Sequence, residues 1–81
     1  MKNIATATKL VGEAKKKLVV QRESRKNAKF KGVTNVSNSD LENVIFYGES
    51  IIRCGSYRAA GLMHPYGNTR DILSNAGLLE V

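Results

Sequence analysis

The stretch that decides the fold is Gly55–Leu78, GSYRAAGLMHPYGNTRDILSNAGL, where two short apolar-periodic segments flank the turn HPYG and the second closes on Asn-Ala-Gly. Gly55 reads as a left-handed helix terminator, because glycine reaches positive φ without a Cβ penalty. Ser56 can then cap a new helix, YRAAGLM, of about two turns. Pro65 stops it by pushing the residue before it out of the α region. Tyr66 and Gly67 make the turn, and Asn68 is a suitable N-cap for TRDILSNA, with Asp71 in the first turn favourably placed against the helix dipole. Gly77 ends that helix. The tail LLEV then packs back on the core as the hydrophobic partner of a Schellman end, or forms a short edge strand.

Upstream of this stretch, Ser39 followed three residues later by Glu42 has the form of a capping box ahead of an apolar run. The helix it opens, DLENVIFYGESIIRC, puts Leu41, Val44, Ile45 and Ile52 on one side, with Gly48 among them to allow close approach of another helix. The segment before it, VTNVSNS, is β-branched and polar and reads as a linker over 33–38, with room for one extended strand at Val33–Val36. At the N-terminus, from about Ile4 to Val20, Ala7, Val11, Ala14 and Leu18 recur at helical spacing, flanked by Leu10 and Val19, opposite a face carrying Lys9 and Lys15–Lys17. Gly12 weakens this helix by about 1 kcal/mol relative to alanine. VQRESRKNAKFKG keeps helix propensity but loses periodicity, so the helix is expected to fray between Gln21 and Asn27, and Gly32 ends the basic region.

These segments define a mostly α fold: a basic amphipathic helix or arm over 1–32, the linker, and a small tri-helical helix-turn-helix-like unit over 39–81, with at most one short strand. The 81 residues suffice for one domain, and with no Trp and five Phe or Tyr the core is left to Leu, Ile, Val and Ala. No apolar run approaches a membrane span of roughly 18 residues, and the start MKNIATATKLVGEAKKK lacks a secretory apolar region. Cys54 is the only cysteine, so no internal disulfide and no cysteine-based zinc site can form from one chain. A reducing, cytoplasmic setting suits that usage.

Charge is unevenly placed. Residues 1–32 carry ten basic side chains against two acids, a net +8, and residues 33–81 carry three against five, a net −2. A polyanion should meet the N-terminal third first. Lys15, Lys16, Lys17, Arg22, Arg25, Lys26, Lys29 and Lys31 are therefore the candidate phosphate contacts of that segment.

Three helices in series, at about 40–54, 56–63 and 68–76, have the order and lengths of a tri-helical helix-turn-helix, whose third helix presents its first turns to the major groove. Ala59, Ala60 and Gly61 supply the small residues that let the third helix approach, and Leu62 or Met63 with Ile72 and Leu73 supply apolar anchors. GSYRAAGLM, followed by GNT and closing with L-x-x-A-G-L, resembles the C-terminal helix-turn-helix of the Fis type. That resemblance implies a helix-helix contact at Ala59 and Ala60, an early recognition-helix position near phosphate at Thr69, and a stop at Gly77. Arg58 in the short helix and Arg70 in the third complete the candidate contacts. Arg70 could reach a guanine edge or a phosphate and Asn75 an adenine, although Asp71 beside them is repelled by backbone phosphate.

The remaining chemistry is sparse. His64, the only histidine, sits beside Pro65 as a turn residue with no orienting acid specified, and Cys54 at the end of an apolar face reads as a buried small hydrophobe. Tyr47, Tyr57 and Tyr66 read as the rim of the core. No Gly-rich phosphate loop, carboxylate pair or metal-ligand spacing occurs, so neither an enzyme nor a cofactor is expected. The expectation is a nucleic-acid-binding protein, DNA ahead of RNA, plausible as a regulator of the size common in phages and mobile elements. Helix-turn-helix proteins often dimerise to match two half-sites, and the apolar first helix is a candidate dimer surface. The alternative is a protein-interaction module, such as a small phage inhibitor or adaptor, whose first helix inserts into a partner groove while its lysines meet an acidic protein surface.

Overall fold

The chain folds as a helix α1 (Lys2–Ser24), a hairpin of β1 (Ala28–Phe30) and β2 (Val33–Val36), and helices α2 (Asn38–Cys54), α3 (Tyr57–Ala60) and α4 (Gly67–Asn75). The computed structural model describes residues 2–79, the Lys2 side chain excepted, so Glu80 and Val81 of the predicted C-terminal packing lie outside it. At about 1.5 Å per residue the 23-residue α1 runs the length of the molecule, whose long dimension is 35 Å. The protein is mostly helical, as expected, with a two-stranded antiparallel sheet in place of a single strand.

α1 extends four residues beyond Val20 before Arg25 turns left-handed at φ 57° and donates its N–H to Gln21 O at 2.8 Å. Its inner face, Ala7, Leu10, Ala14 and Leu18, shares one core with Leu41, Val44 and Ile51 of α2, Ile72 and Leu73 of α4, and Phe30 and Val36 of the hairpin. Burying a leucine such as Leu10 or Leu18 is worth about 1.5–3 kcal/mol, so the first third is integral to the fold and not an appended arm.

β2 lies on the extended segment predicted at Val33–Val36, whereas its partner β1 falls in the stretch VQRESRKNAKFKG, which the sequence reads as helix-prone. Phe30 pairs with Val33 across a two-residue loop in which Lys31 and Gly32 both have positive φ, 52° and 83°. That is the twist a tight hairpin turn prefers. β2 takes three residue steps from Val33 to Val36 where β1 takes two, and Asn35, at φ 58°, lies in the bulged stretch. Gln21, 2% exposed, fastens the hairpin to α1: its Nε2 donates to Val36 O at 3.0 Å and Asn38 Oδ1 at 3.1 Å, and its Oε1 accepts from Ala28 N at 3.0 Å. Three hydrogen bonds satisfy a buried amide that would otherwise cost the fold its desolvation.

The cap of α2 falls two residues earlier than Ser39 and Glu42. Ser37, extended at φ −82° and ψ 166°, accepts from Asp40 N at 3.1 Å, and Asp40 Oδ2 accepts from Ser37 N at 3.0 Å. Burial works against the Asp40 carboxylate, but hydrogen bonds from Ser37 and the Asn68 amide outweigh it and hold its pKa below the usual value. The inner face of α2 is Leu41, Val44, Gly48 and Ile51, while Ile45 and Ile52 lie half-buried on the flank. A Cβ at Gly48 would fall on Val11 Cγ2, so the glycine sets how closely α1 and α2 approach.

Gly55, at φ 96°, terminates α2, and Ser56 Oγ caps α3 by accepting from Ala59 N at 3.0 Å, both as predicted. α3 is shorter than expected, one turn that ends at Gly61 with φ 63°, leaving residues 62–66 without helical structure. Met63 is accordingly 82% exposed and no apolar anchor, Leu62 is half-buried, Ala59 is exposed and Ala60 half-buried. Tyr47 holds the segment to α2 by donating to Met63 O at 2.7 Å, and Tyr57 OH lies 3.2 Å from His64 Nδ1. α4 starts at Gly67, and Asn68 is a cross-link instead of a cap: its Nδ2 donates to Asp40 Oδ2 at 3.0 Å and Asn35 O at 3.3 Å. The end of α4 matches the Schellman expectation, with Gly77 at φ 74° and Leu78 N donating to Leu73 O at 3.1 Å, which buries Leu78. Cys54 is exposed, because the core side of α2 ends at Ile51.

Candidate nucleic-acid interface

The basic third divides into cations that hold the fold and cations that do not. Lys15 and Arg22, seven residues apart on α1, reach Glu49 and Glu42, seven apart on antiparallel α2, at 3.5 and 3.2 Å. Each pair is more than half exposed and so contributes on the order of 0–1 kcal/mol, but both occupy the charge of residues predicted to contact phosphate. Lys31 Nζ binds Glu13 Oε2 at 2.7 Å. That hydrogen bond, against some desolvation and with help from Lys9 and Lys16, lowers the Glu13 pKa.

Among the described residues Lys9, Lys16, Lys17, Arg25, Lys26 and Lys29 have no carboxylate partner. Lys9 and Lys16 are two turns apart on the solvent face of α1, Lys17 is half-buried on the flank toward the hairpin, and Arg25, Lys26 and Lys29 continue past the helix end onto β1. Lys29 alternates with Ala28 and buried Phe30, which turns it to the outer face of the hairpin. Lys9 was not among the predicted contacts; its spacing of seven from Lys16 on a helix was the signal that placed it there.

The C-terminal candidates are largely engaged or buried. Thr69 is 4% exposed in the inner face of α4 beside Ile72 and Leu73, which removes it from any surface contact. Arg70 is exposed, and its Nη2 lies 3.2 Å from Asp71 Oδ1. Asn75 donates to Lys31 O at 2.8 Å, so its amide braces the hairpin turn. Arg58 is exposed in α3. Between α4 and the hairpin lies an open polar groove of about 380 Å³ bordered by Thr34, Asn68, Asp71 and Ser74. A second groove of about 360 Å³ runs between Tyr47 of α2 and Met63–Tyr66.

Among the described residues no three His, Cys, Asp or Glu side chains gather at metal-binding distance. Likewise no helix there is long and apolar enough to cross a membrane. Compared with known proteins, the chain matches no family model, no curated sequence and no solved structure.

Proposed function

We propose that this chain is a small nucleic-acid-binding protein of the cytoplasm, favouring DNA over RNA, that holds the phosphate backbone on the cations of α1 and the hairpin. The observation that carries the reading is the run of cations that form no ion pair among the described residues, Lys9, Lys16, Lys17, Arg25, Lys26 and Lys29, on two adjoining elements, in a chain whose remaining two-thirds is net acidic. Backbone geometry supports it. Arg25 occupies a left-handed position that costs a non-glycine residue on the order of 1 kcal/mol, and glycine or asparagine would hold it more cheaply. α4 is the lesser contributor, since Thr69 is buried and the Arg70 and Asn75 side chains are already engaged.

The apolar face of α1 is filled by its own core, so inserting that face into a partner groove would require α1 to leave the fold. For the same reason deletion of residues 1–32 is not a usable test. The test is binding of a fluorescent random-sequence duplex across a salt series, by the native chain and by a Lys17→Gln, Arg25→Gln, Lys26→Gln, Lys29→Gln variant. Each phosphate contact contributes about 0.9 to the logarithmic salt slope on B-DNA, so the variant, which removes all four, should flatten the slope by up to about 3.6. Absence of binding by the native chain at low salt would overturn the proposal and turn attention to an acidic protein partner.

A further inference from the structure

The inner face of α1 is satisfied by α2, α4 and the hairpin, yet its outer face carries a second seam. Val19 and Val20 are 56% and 58% exposed, side by side on that face. Lys16 lies one turn before them and Glu23 one turn after, and the spacing of three, four and seven keeps all four side chains on one stripe. Among the described residues neither Lys16 nor Glu23 has an oppositely charged partner, whereas Lys15 and Arg22 on the neighbouring stripe are both paired to α2.

The stripe is complementary to itself. When two such helices run antiparallel with the crossing between positions 19 and 20, Val19 of one falls opposite Val20 of the other, and Lys16 opposite Glu23, on both sides of a two-fold axis. Parallel pairing would instead set Lys16 against Lys16 and Glu23 against Glu23, so charge selects the antiparallel arrangement.

We propose that Lys16, Val19, Val20 and Glu23 form a docking surface for α1 of a second copy of this chain, giving a two-fold, isologous homodimer. The inference stands without the nucleic-acid reading. It also has a consequence for that reading: a two-fold axis normal to the plane of the helix pair leaves both hairpins on the same side. Each hairpin runs along the α1 flank that bears Glu13, Lys17 and Gln21, so Lys17, Arg25, Lys26 and Lys29 of the two copies would share one surface, while Lys16 turns to Glu23 in the seam. The contact is small, which places the dimer at the weak end of specific interfaces.

The experiment is sedimentation equilibrium of the full chain from about 10 μM to 1 mM, in a Cys54→Ser background that removes the exposed thiol. The expected result is a reversible monomer–dimer equilibrium within that range, abolished by Val20→Lys. Lys16→Glu or Glu23→Lys alone should weaken association by roughly ten-fold or more, because each reverses two symmetry-related contacts. The double reversal Lys16→Glu with Glu23→Lys keeps the net charge and restores both contacts, so its dissociation constant should return to within about three-fold of the starting value. Circular dichroism of each variant checks that these exposed substitutions leave the helix content unchanged. A monomer throughout the range, a dimer indifferent to Val20→Lys, or a double reversal no better than the single ones would each overturn the proposal. No nucleic acid enters the measurement, so its outcome is independent of the duplex titration.

Discussion

Replacing Gly48 by alanine tests how closely α1 and α2 approach. Two effects oppose each other. Alanine at an interior helical position is favoured over glycine by about 1 kcal/mol, which alone would stabilise α2. The added Cβ, however, falls on Val11 Cγ2, and Ala7 O and Val11 Cβ stand 3.8 Å away. Val11 is 6% exposed and, being β-branched on a helix, has one strongly preferred rotamer, so it cannot swing aside cheaply. Overpacking of this kind costs about 1–3 kcal/mol, and the cost should win by roughly 1 kcal/mol. In a domain of this size that is a fall of about 4–8 °C in Tm. The sign should reverse once Val11→Ala has removed the obstructing methyl: in that background Gly48→Ala should gain up to about 1 kcal/mol. Urea denaturation followed by circular dichroism on all four proteins gives the coupling directly, expected near 2 kcal/mol. Equal effects of Gly48→Ala in the two backgrounds would show that the helices do not meet here as described.

Gly12 makes the opposite prediction on the same helix: no atom lies within 4 Å of its would-be Cβ, so Gly12→Ala should stabilise by about 1 kcal/mol, and a destabilisation in the same urea assay would contradict its exposed helical placement. Gln21→Ala removes the buried amide that ties α1 to both strands and should cost about 2–4 kcal/mol, with faster hydrogen exchange at the Ala28 amide; a loss below 1 kcal/mol would mean the hairpin is held otherwise. Asp40, whose folded pKa lies below its unfolded value near 3.8, contributes stability that is fully present above about pH 4–5 and is lost as pH falls through the lower folded value. Asp40→Asn should therefore lower stability at pH 7 and flatten its decline between about pH 5 and 2, and an unchanged acid limb in denaturant titrations would remove Asp40 from that role.

The elements legible in the sequence were those specified by local chemistry. Gly55, Ser56 and Gly77 act as read, because a left-handed terminator and a hydroxyl cap depend on a few neighbouring backbone groups. Ser37 and Ser39 show where that reading fails: both precede an acid by three residues, and only the folded chain, with Asn68 reaching Asp40, decides between them. The hairpin had a faint signal in Lys31-Gly32 between two short β-compatible runs. It was obscured because Lys31 is not a residue usually found at positive φ. In the candidate interface, the unequal distribution of charge was visible from composition, but the partition of the lysines was not. Lys15 and Arg22 are distinguished from Lys16 and Lys17 only by which side of α1 meets Glu42 and Glu49.

By itself, then, the sequence determined a mostly helical chain with a basic first third, the apolar stripe of α1 and the stops at Gly55 and Gly77, because periodicity, charge and backbone permissiveness are properties of residues a few positions apart. The tertiary structure decided that the first third belongs to the core, that Thr69 faces inward and Cys54 outward, and which cations pair with Glu13, Glu42 and Glu49. Those outcomes depend on contacts between residues 15 to 44 positions apart, such as Gln21 with Val36 and Asn75 with Lys31, and no local pattern encodes which distant group will satisfy a buried amide or a surface charge.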